Sequence, residues 1–120
     1  MNLAKIQKIL ELAPSKISFY TENEIKEFQF KEAFHEQYRR ERARRYLELK
    51  AKGETTEKER EYLLDCNSIL TALKDKELIA EINFRGWRMK RDRADDTLQA
   101  TMELARLARK EMGSLDPTVK

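Results

Sequence analysis

Few residues in this chain have the types and spacing that chemistry requires, and the first is a Glu-x-x-His pair. Glu32 and His35 stand three residues apart, so a helix would present both side chains on one face. In carboxylate-bridged di-iron bundles, two such pairs meet two further glutamates at the metal ions. Because His35 is the only histidine, one chain cannot assemble that set. We therefore expect no metal site and no cofactor.

Cys66 is the only cysteine, and it falls on an apolar stripe of the sequence. A buried thiol behaves as a small hydrophobic side chain. A nucleophilic cysteine needs a general base, and His35 is predicted to lie about one helical turn or more away from it. The sequence contains no glycine-rich phosphate loop, no Ser-His-Asp set and no Cys-x-x-Cys. We expect no enzymatic activity, no disulfide bond within the chain and a cytoplasmic, reducing location.

Two basic clusters are the remaining candidates for binding. The first spans residues 39–45, where the predicted fold places it beside an acidic segment that would partly neutralise it within the protein. The second cluster surrounds Trp87 and consists of Arg85, Arg88, Lys90, Arg91 and Arg93. An arginine-rich surface with an aromatic side chain can bind phosphates and stack on a base. The second cluster is therefore the candidate for nucleic-acid contact.

Charge is distributed unevenly along the chain, although the net charge is only +3 from 25 basic and 22 acidic residues. Basic and acidic residues number 9 and 6 in residues 23–53, 4 and 8 in residues 54–82, and 8 and 5 in residues 83–112. A charged share of 39% beside a hydrophobic share of 40% is typical of helices that bury one stripe. The apolar runs are too short for a membrane-spanning helix, and the N-terminus does not read as a secretory signal.

The elements that must position these residues are helices, because no proline interrupts the chain between Pro14 and Pro117. We predict one all-α domain over residues 1–120, an antiparallel helical hairpin of coiled-coil type with a short N-terminal helix and a long C-terminal helix. The short helix covers about residues 2–13 and ends at Pro14, since the residue before a proline is disfavoured in a helix. Residues 15–20 would form a connector.

The hairpin itself is predicted from capping and turn signals. A capping box of Thr21 and Glu24 would begin a helix over about residues 22–52. Gly53 fits a left-handed C-cap that turns the chain. A second capping box, Thr56 with Glu59, would begin a helix over about residues 56–112 and leave residues 113–120 as a tail.

A heptad seam runs along the predicted long helix. Alternating steps of three and four from Leu63 meet apolar or small side chains at twelve of fifteen positions; the exceptions are Glu77, Arg91 and Thr101. The seam keeps its phase across Gly86. This favours a continuous or kinked helix, although a break at residues 83–86 stays open as the alternative.

The two predicted hairpin helices differ in length. With the turn at Gly53, Phe28 faces Ala80 and the upstream helix reaches only to about Trp87. About 25 residues of the long helix, about 37 Å, would then extend beyond the hairpin. The predicted interaction seam comprises Phe84, Trp87, Ala94, Leu98, Ala105, Ala108 and Met112. The short first helix, a second copy or another protein could cover it. We predict a homodimer or a higher homo-oligomer, since a symmetric dimer is the commonest solution.

Residues Tyr38 to Arg60 resemble a pattern in small helical-hairpin proteins from phages and prophages of Gram-positive bacteria. In that family an "YRRAKA…YLxxKAxGKT…ER" stretch marks the first helix and its turn, and an Ala- and Arg-rich helix follows. The resemblance covers residues 34–112. It implies a hairpin encoded among phage replication and recombination genes, and it implies no catalytic residues.

We therefore predict a non-enzymatic protein that acts by oligomerisation and protein–protein interaction through the seam. Two alternatives stay open. One is an accessory nucleic-acid-binding protein in phage DNA replication or recombination, acting through the second basic cluster. The other is a virion or assembly scaffold component.

Overall fold

The computed structural model describes residues 2–53 and 55–115, with side chains as far as Met112. These residues form three helices: α1 (Leu3–Lys52), α2 (Glu57–Asp65) and α3 (Ser68–Leu115). No strand occurs in the described ranges. The predicted all-α fold is confirmed. None of the helices in this part of the chain combines the length and the apolar character that crossing a bilayer requires.

Contacts within the chain divide it into two compact units, each built from a part of α1 and a part of α3. Within the described residues, the turn unit consists of residues 24–53 and 55–85 and contains α2. The terminal unit consists of residues 2–23 and 86–115. The first and the last described residues therefore belong to the same unit.

The turn that joins α1 to α2 forms as the sequence predicts. Gly53 has a φ of +69°, a left-handed conformation that glycine adopts without a steric penalty. Its N–H donates a hydrogen bond of 3.1 Å to the carbonyl of Lys50. The hydroxyl oxygen of Thr56 accepts a hydrogen bond of 3.2 Å from the N–H of Glu59, which caps α2. The predicted C-cap and the threonine cap are both confirmed.

The predicted single helix from Thr56 onward is wrong at one point, because it breaks between α2 and α3. The side-chain oxygen of Asn67 accepts hydrogen bonds from the N–H groups of Ile69 (3.0 Å) and Leu70 (3.1 Å), so Asn67 caps α3. The break shifts the phase of the seam. In α2 the buried residue is Leu64, and the predicted seam residue Cys66 is exposed.

The break also moves the alignment of α1 against α3 in the turn unit. Phe28 packs against Phe84 with ring centroids 5.6 Å apart, one helical turn beyond the predicted Ala80. His35 lies opposite Glu77, with Nδ1 and Oε1 3.0 Å apart. Beyond the break, α3 passes through Gly86 without interruption, as the preserved phase of the seam predicts. The alternative of a break at residues 83–86 is therefore excluded.

The predicted short N-terminal helix is also wrong, because α1 continues through Pro14 to Lys52. Thr21 does not cap a new helix: its hydroxyl donates a hydrogen bond of 2.8 Å to the carbonyl of Ile17, inside α1. A proline inside a helix costs about 3 kcal/mol. Burial compensates this cost, since Ile6 and Ala13, which precede the proline in α1, are both buried. Rules based on the local sequence include the free-energy cost of the proline but not the burial of Ile6 and Ala13, so they predict a helix end at Pro14.

The C-terminal part of α3 is covered by other residues of the chain. The prediction that about 25 residues of this helix extend beyond the hairpin is therefore wrong. In the terminal unit, the first turns of α1 cover the α3 residues that were expected to extend beyond the hairpin. Trp87 meets Phe19 edge to face at 5.7 Å, and Ala108 is 8% exposed. The N-terminal part of α1 therefore supplies the cover within the same chain.

The polar positions of the seam have local partners. Thr101, 5% exposed, donates a hydrogen bond of 2.7 Å to the carbonyl of Thr97. Glu77 faces His35, and Arg91 contacts Asp92 at 3.3 Å. A buried polar group that is hydrogen-bonded avoids most of its desolvation penalty. The seam can therefore contain these residues and still pack.

Candidate interaction surfaces

Most of the predicted interaction seam packs against α1 of the same chain. In the turn unit Phe84 contacts Phe28. In the terminal unit Ala94 lies beside Ile9 and Leu12 along one groove. On the other side, Leu98 and Ala105 line a groove with Leu10 and Pro14 of α1. Met112 is 60% exposed. Except for Met112, these side chains form the helix–helix contact within the two units.

The first basic cluster is neutralised inside the turn unit. Arg42 donates hydrogen bonds to Glu61 and Asp65 of α2. This agrees with the prediction that the cluster lies beside an acidic segment. Arg44 and Arg45 both donate to Glu41. The Arg44 guanidinium lowers the pKa of the Glu41 carboxyl below its usual value. Since these arginines already have carboxylate partners, the cluster leaves little free charge for a nucleic acid.

The second basic cluster does not form one surface. Arg85 belongs to the turn unit and pairs with Glu81 at 2.9 Å. In the terminal unit Arg91 is half-buried on the seam. The Nζ atom of Lys90 lies 4.6 Å from the centroid of the Trp87 ring. That indole is also in contact with Phe19, so it is not a free platform for a stacked base.

Two members of that cluster meet lysines from the opposite end of the chain. They line a groove of about 590 Å³ between α1 and α3 of the terminal unit, which we call the basic groove. Its cations are Lys5, Lys8, Lys16, Lys90 and Arg93, and its other lining residues are Ile9, Leu12, Ala13, Tyr20, Ala94 and Thr97. Among the described residues, no acidic side chain lines this groove.

The five cations of the basic groove make no ion pair with any carboxylate in the part of the chain that the structure describes. They differ in this from the arginines of residues 39–45. Sequence analysis missed the groove because a predicted helix end at Pro14 separated Lys16 from Lys5 and Lys8. Their spacing along one uninterrupted helix would have placed them on one side of α1.

A second surface lies on the outward side of α3 in the turn unit. Leu78, Ile79 and Ile82 are 55%, 58% and 59% exposed, and we call them the outer cluster. They point away from the seam, where Ala80 is buried. Single exposed apolar residues are normal, but three large ones on adjacent turns form a patch. This stripe is shorter than the seam and does not continue its heptad spacing, so the heptad pattern does not reveal it.

His35 and Cys66, the residues considered for metal binding and catalysis, do not form a common site in the described residues. His35 faces Glu77, and within the described ranges no group of three or more His, Cys, Asp or Glu side chains could hold a metal ion. Cys66 is exposed at the end of α2. Interaction with the nearby Cys66 thiol raises the pKa of Tyr62 above the usual value of 10.0.

Comparison with protein-family models, curated proteins and solved structures finds no match to this chain. The resemblance to phage hairpin proteins therefore stays a prediction. The two surfaces, the basic groove and the outer cluster, are the features from which function can be argued.

Proposed function

We propose that this chain is a non-enzymatic helical-hairpin protein that acts by self-association through the outer cluster. The observation that carries the proposal is the exposure of Leu78, Ile79 and Ile82 on the side of α3 opposite its seam. Exposed contiguous apolar patches on otherwise polar proteins are typical of interaction sites. The charged residues Asp75 and Arg85 stand on the same face, before and after the cluster.

A second copy is the partner that fits the cluster, because the surface is complementary to itself. If two copies of α3 cross antiparallel about Ala80, Leu78 of each lies opposite Ile82 of the other. The same alignment places Asp75 of each copy opposite Arg85 of the other. Asp75 makes no ion pair within the described residues, so its carboxylate is available. Such a symmetric, self-complementary contact is the commonest basis of homodimers.

The expected strength of this contact is modest. Six large aliphatic side chains, each between 55% and 59% exposed, contribute roughly 5–10 kcal/mol if this exposed part is fully buried, from about 1.5–3 kcal/mol for each full burial. Association costs on the order of 4–15 kcal/mol in lost freedom of motion. The two terms are close, so we expect a dimer that depends on protein concentration.

Light scattering coupled to size exclusion, over a series of protein concentrations, tests the proposal. The wild type should shift from monomer towards dimer as concentration rises, and Ile82→Glu should stay monomeric with unchanged helical circular dichroism. Ile69→Glu is the matched control, since Ile69 is 52% exposed in the first turn of the same helix, where an acid is favourable. A wild type that stays monomeric, or equal loss of dimer in both variants, would contradict the proposal.

A further inference from the structure

We infer that the basic groove binds an acidic amphipathic helix of a partner protein. The groove lies in the terminal unit, whereas the outer cluster lies in the turn unit, so the inference does not rest on self-association. Three properties of the groove lead to this occupant: its length, its apolar floor and the distribution of its charges.

The groove has the length of a short helix. Its lining residues on α1 run from Lys5 to Tyr20. At 1.5 Å per residue this is about 22 Å along α1, which matches a partner helix of about fifteen residues. The lining residues on α3 run from Lys90 to Thr97, about 10 Å, so such a helix would contact α3 over part of its length. The space between two antiparallel helices accepts a third helix, as in helical bundles and helix-in-groove complexes. A docked helix would complete a local three-helix arrangement.

The floor of the groove requires an apolar stripe on the partner. Ile9, Leu12 and Ala13 of α1 meet Ala94 of α3 there. Leu12 is 44% exposed and would be covered by a docked helix. The two alanines leave room for larger side chains from the partner, because they fill little of the space between the helices. A ligand that is polar throughout would leave this floor uncovered.

The charges require acidic residues on both flanks of that stripe. Three cations, Lys5, Lys8 and Lys16, come from α1, and two, Lys90 and Arg93, come from α3. Each of the two helices therefore contributes its own set of cations to the groove, and we call each set a rim. A fatty acid, with one carboxylate, would engage one part of one rim. A helix with glutamates on both sides of a leucine stripe would engage both rims and fill the floor.

A nucleic acid fits the same groove less well. It would satisfy the cations, but its backbone would leave Ile9 and Leu12 uncovered. The aromatic group that might stack on a base, Trp87, is already covered by Phe19 and by Lys90. Electrostatic attraction alone is not specific. The apolar floor decides in favour of a protein helix.

Trp87, the only tryptophan, gives the experiment its signal. Its ring lies 6.0 Å from that of Tyr20 and 4.6 Å from Nζ of Lys90, and both of these residues line the groove. The full chain is titrated with a synthetic helical peptide that carries a leucine stripe flanked by glutamates. We expect saturable fluorescence changes and an affinity that falls as salt rises.

Two peptides and two protein variants serve as controls. A scrambled peptide of the same composition, and a peptide with glutamine in place of glutamate, should each bind at least about tenfold more weakly. Lys16→Glu combined with Arg93→Glu should lower affinity for the first peptide about tenfold or more. Arg88→Glu should leave it within about twofold, because Arg88 is an exposed cation of the same helix that does not line the groove. Circular dichroism verifies that both variants keep their helices.

Four results would overturn the inference: binding of the scrambled peptide with equal affinity, an equal effect of Arg88→Glu, no binding of the first peptide, or preference for a single-stranded oligonucleotide. The last result would assign the groove to nucleic acids. The titration is repeated on Ile82→Glu. Unchanged affinity in that variant supports the separation of the groove from self-association, and lost affinity would contradict it.

Discussion

Phe19 of α1 and Trp87 of α3 meet edge to face, with ring centroids 5.7 Å apart and planes at 87°. This is a preferred geometry for aromatic pairs, because the positive edge of one ring meets the negative face of the other. Tyr20 approaches the same indole at 6.0 Å. Both α1 residues lie in the segment 15–20, which was predicted to be a connector and is part of α1 in the structure. The pair therefore connects an unexpected local conformation to the packing that stabilises it.

Replacing Pro14 with alanine should stabilise the protein. Alanine restores the missing N–H donor and removes the clash with the preceding turn, which together cost about 3 kcal/mol at an interior proline. We expect a gain of about 1–3 kcal/mol in the free energy of unfolding, measured by urea denaturation. Ser15→Ala, an exposed neighbour, should change it by less than about 0.5 kcal/mol. A destabilised Pro14→Ala protein would contradict the packing argument.

The cap at the start of α3 should be measurable by a pair of asparagine substitutions. Asn67→Ala removes the acceptor for the N–H groups of Ile69 and Leu70 and should cost about 1 kcal/mol. Asn83→Ala lies inside α3 and should be neutral or slightly stabilising, since alanine has the higher helix propensity. Thermal unfolding of the two variants compares them directly. Equal melting temperatures would show that Asn67 does not act as a cap.

Leu98→Glu should destabilise the fold rather than change the oligomeric state. Leu98 is half-buried on the seam beside Leu10, so a carboxylate there loses hydration without gaining a partner. We expect a loss of about 2–4 kcal/mol in the free energy of unfolding. Gln99→Glu introduces the same charge at the next, exposed position and should change stability by less than about 0.5 kcal/mol. An unaffected melting temperature in Leu98→Glu would mean that the intrachain seam is not closed in solution.

Acidification should weaken the ion pairs in the middle of α1. Hydrogen bonding to Arg44 depresses the pKa of Glu41 below 4.5 in the folded state. A depressed carboxyl pKa contributes stability above the unfolded value, and that contribution is lost as pH falls through the folded value. The melting temperature should therefore fall below pH 4.5, and less so in Glu41→Gln. Glu32 makes no ion pair within the described residues. The melting temperature of Glu32→Gln should therefore depend on pH as strongly as that of the wild type.

Regular periodicity made parts of the fold predictable. The seam of α3 from Leu70 to Ala108 follows from steps of three and four residues, and the turn follows from Gly53 and Thr56. The continuation through Pro14 was not predictable from local rules, because the α3 residues that share a groove with Leu10 and Pro14, Leu98 and Ala105 among them, come from the other end of the chain. The cap at Asn67 was hidden because apolar residues continue on both sides of it.

The candidate surfaces were less accessible to sequence reasoning than the fold. Lys90 and Arg93 were singled out for their charge, but the lysines that face them lie more than seventy residues earlier in the sequence. Pairing the two sets requires knowing that α1 is one helix. The outer cluster was visible as Leu78, Ile79 and Ile82, yet only the location of the seam shows that these side chains lack cover.

The terminal unit combines an early and a late stretch of the chain, and this has a consequence for synthesis on the ribosome. The turn unit is one continuous segment of the chain, centred near Gly53. Its contacts can therefore form while translation of the later residues continues. The first twenty residues are made early, but the stretch from Trp87 to Ala108 emerges late. Until then Ile6 and Ala13 have no partner, and the nascent N-terminal segment is open to chaperones and to misassociation with other nascent chains.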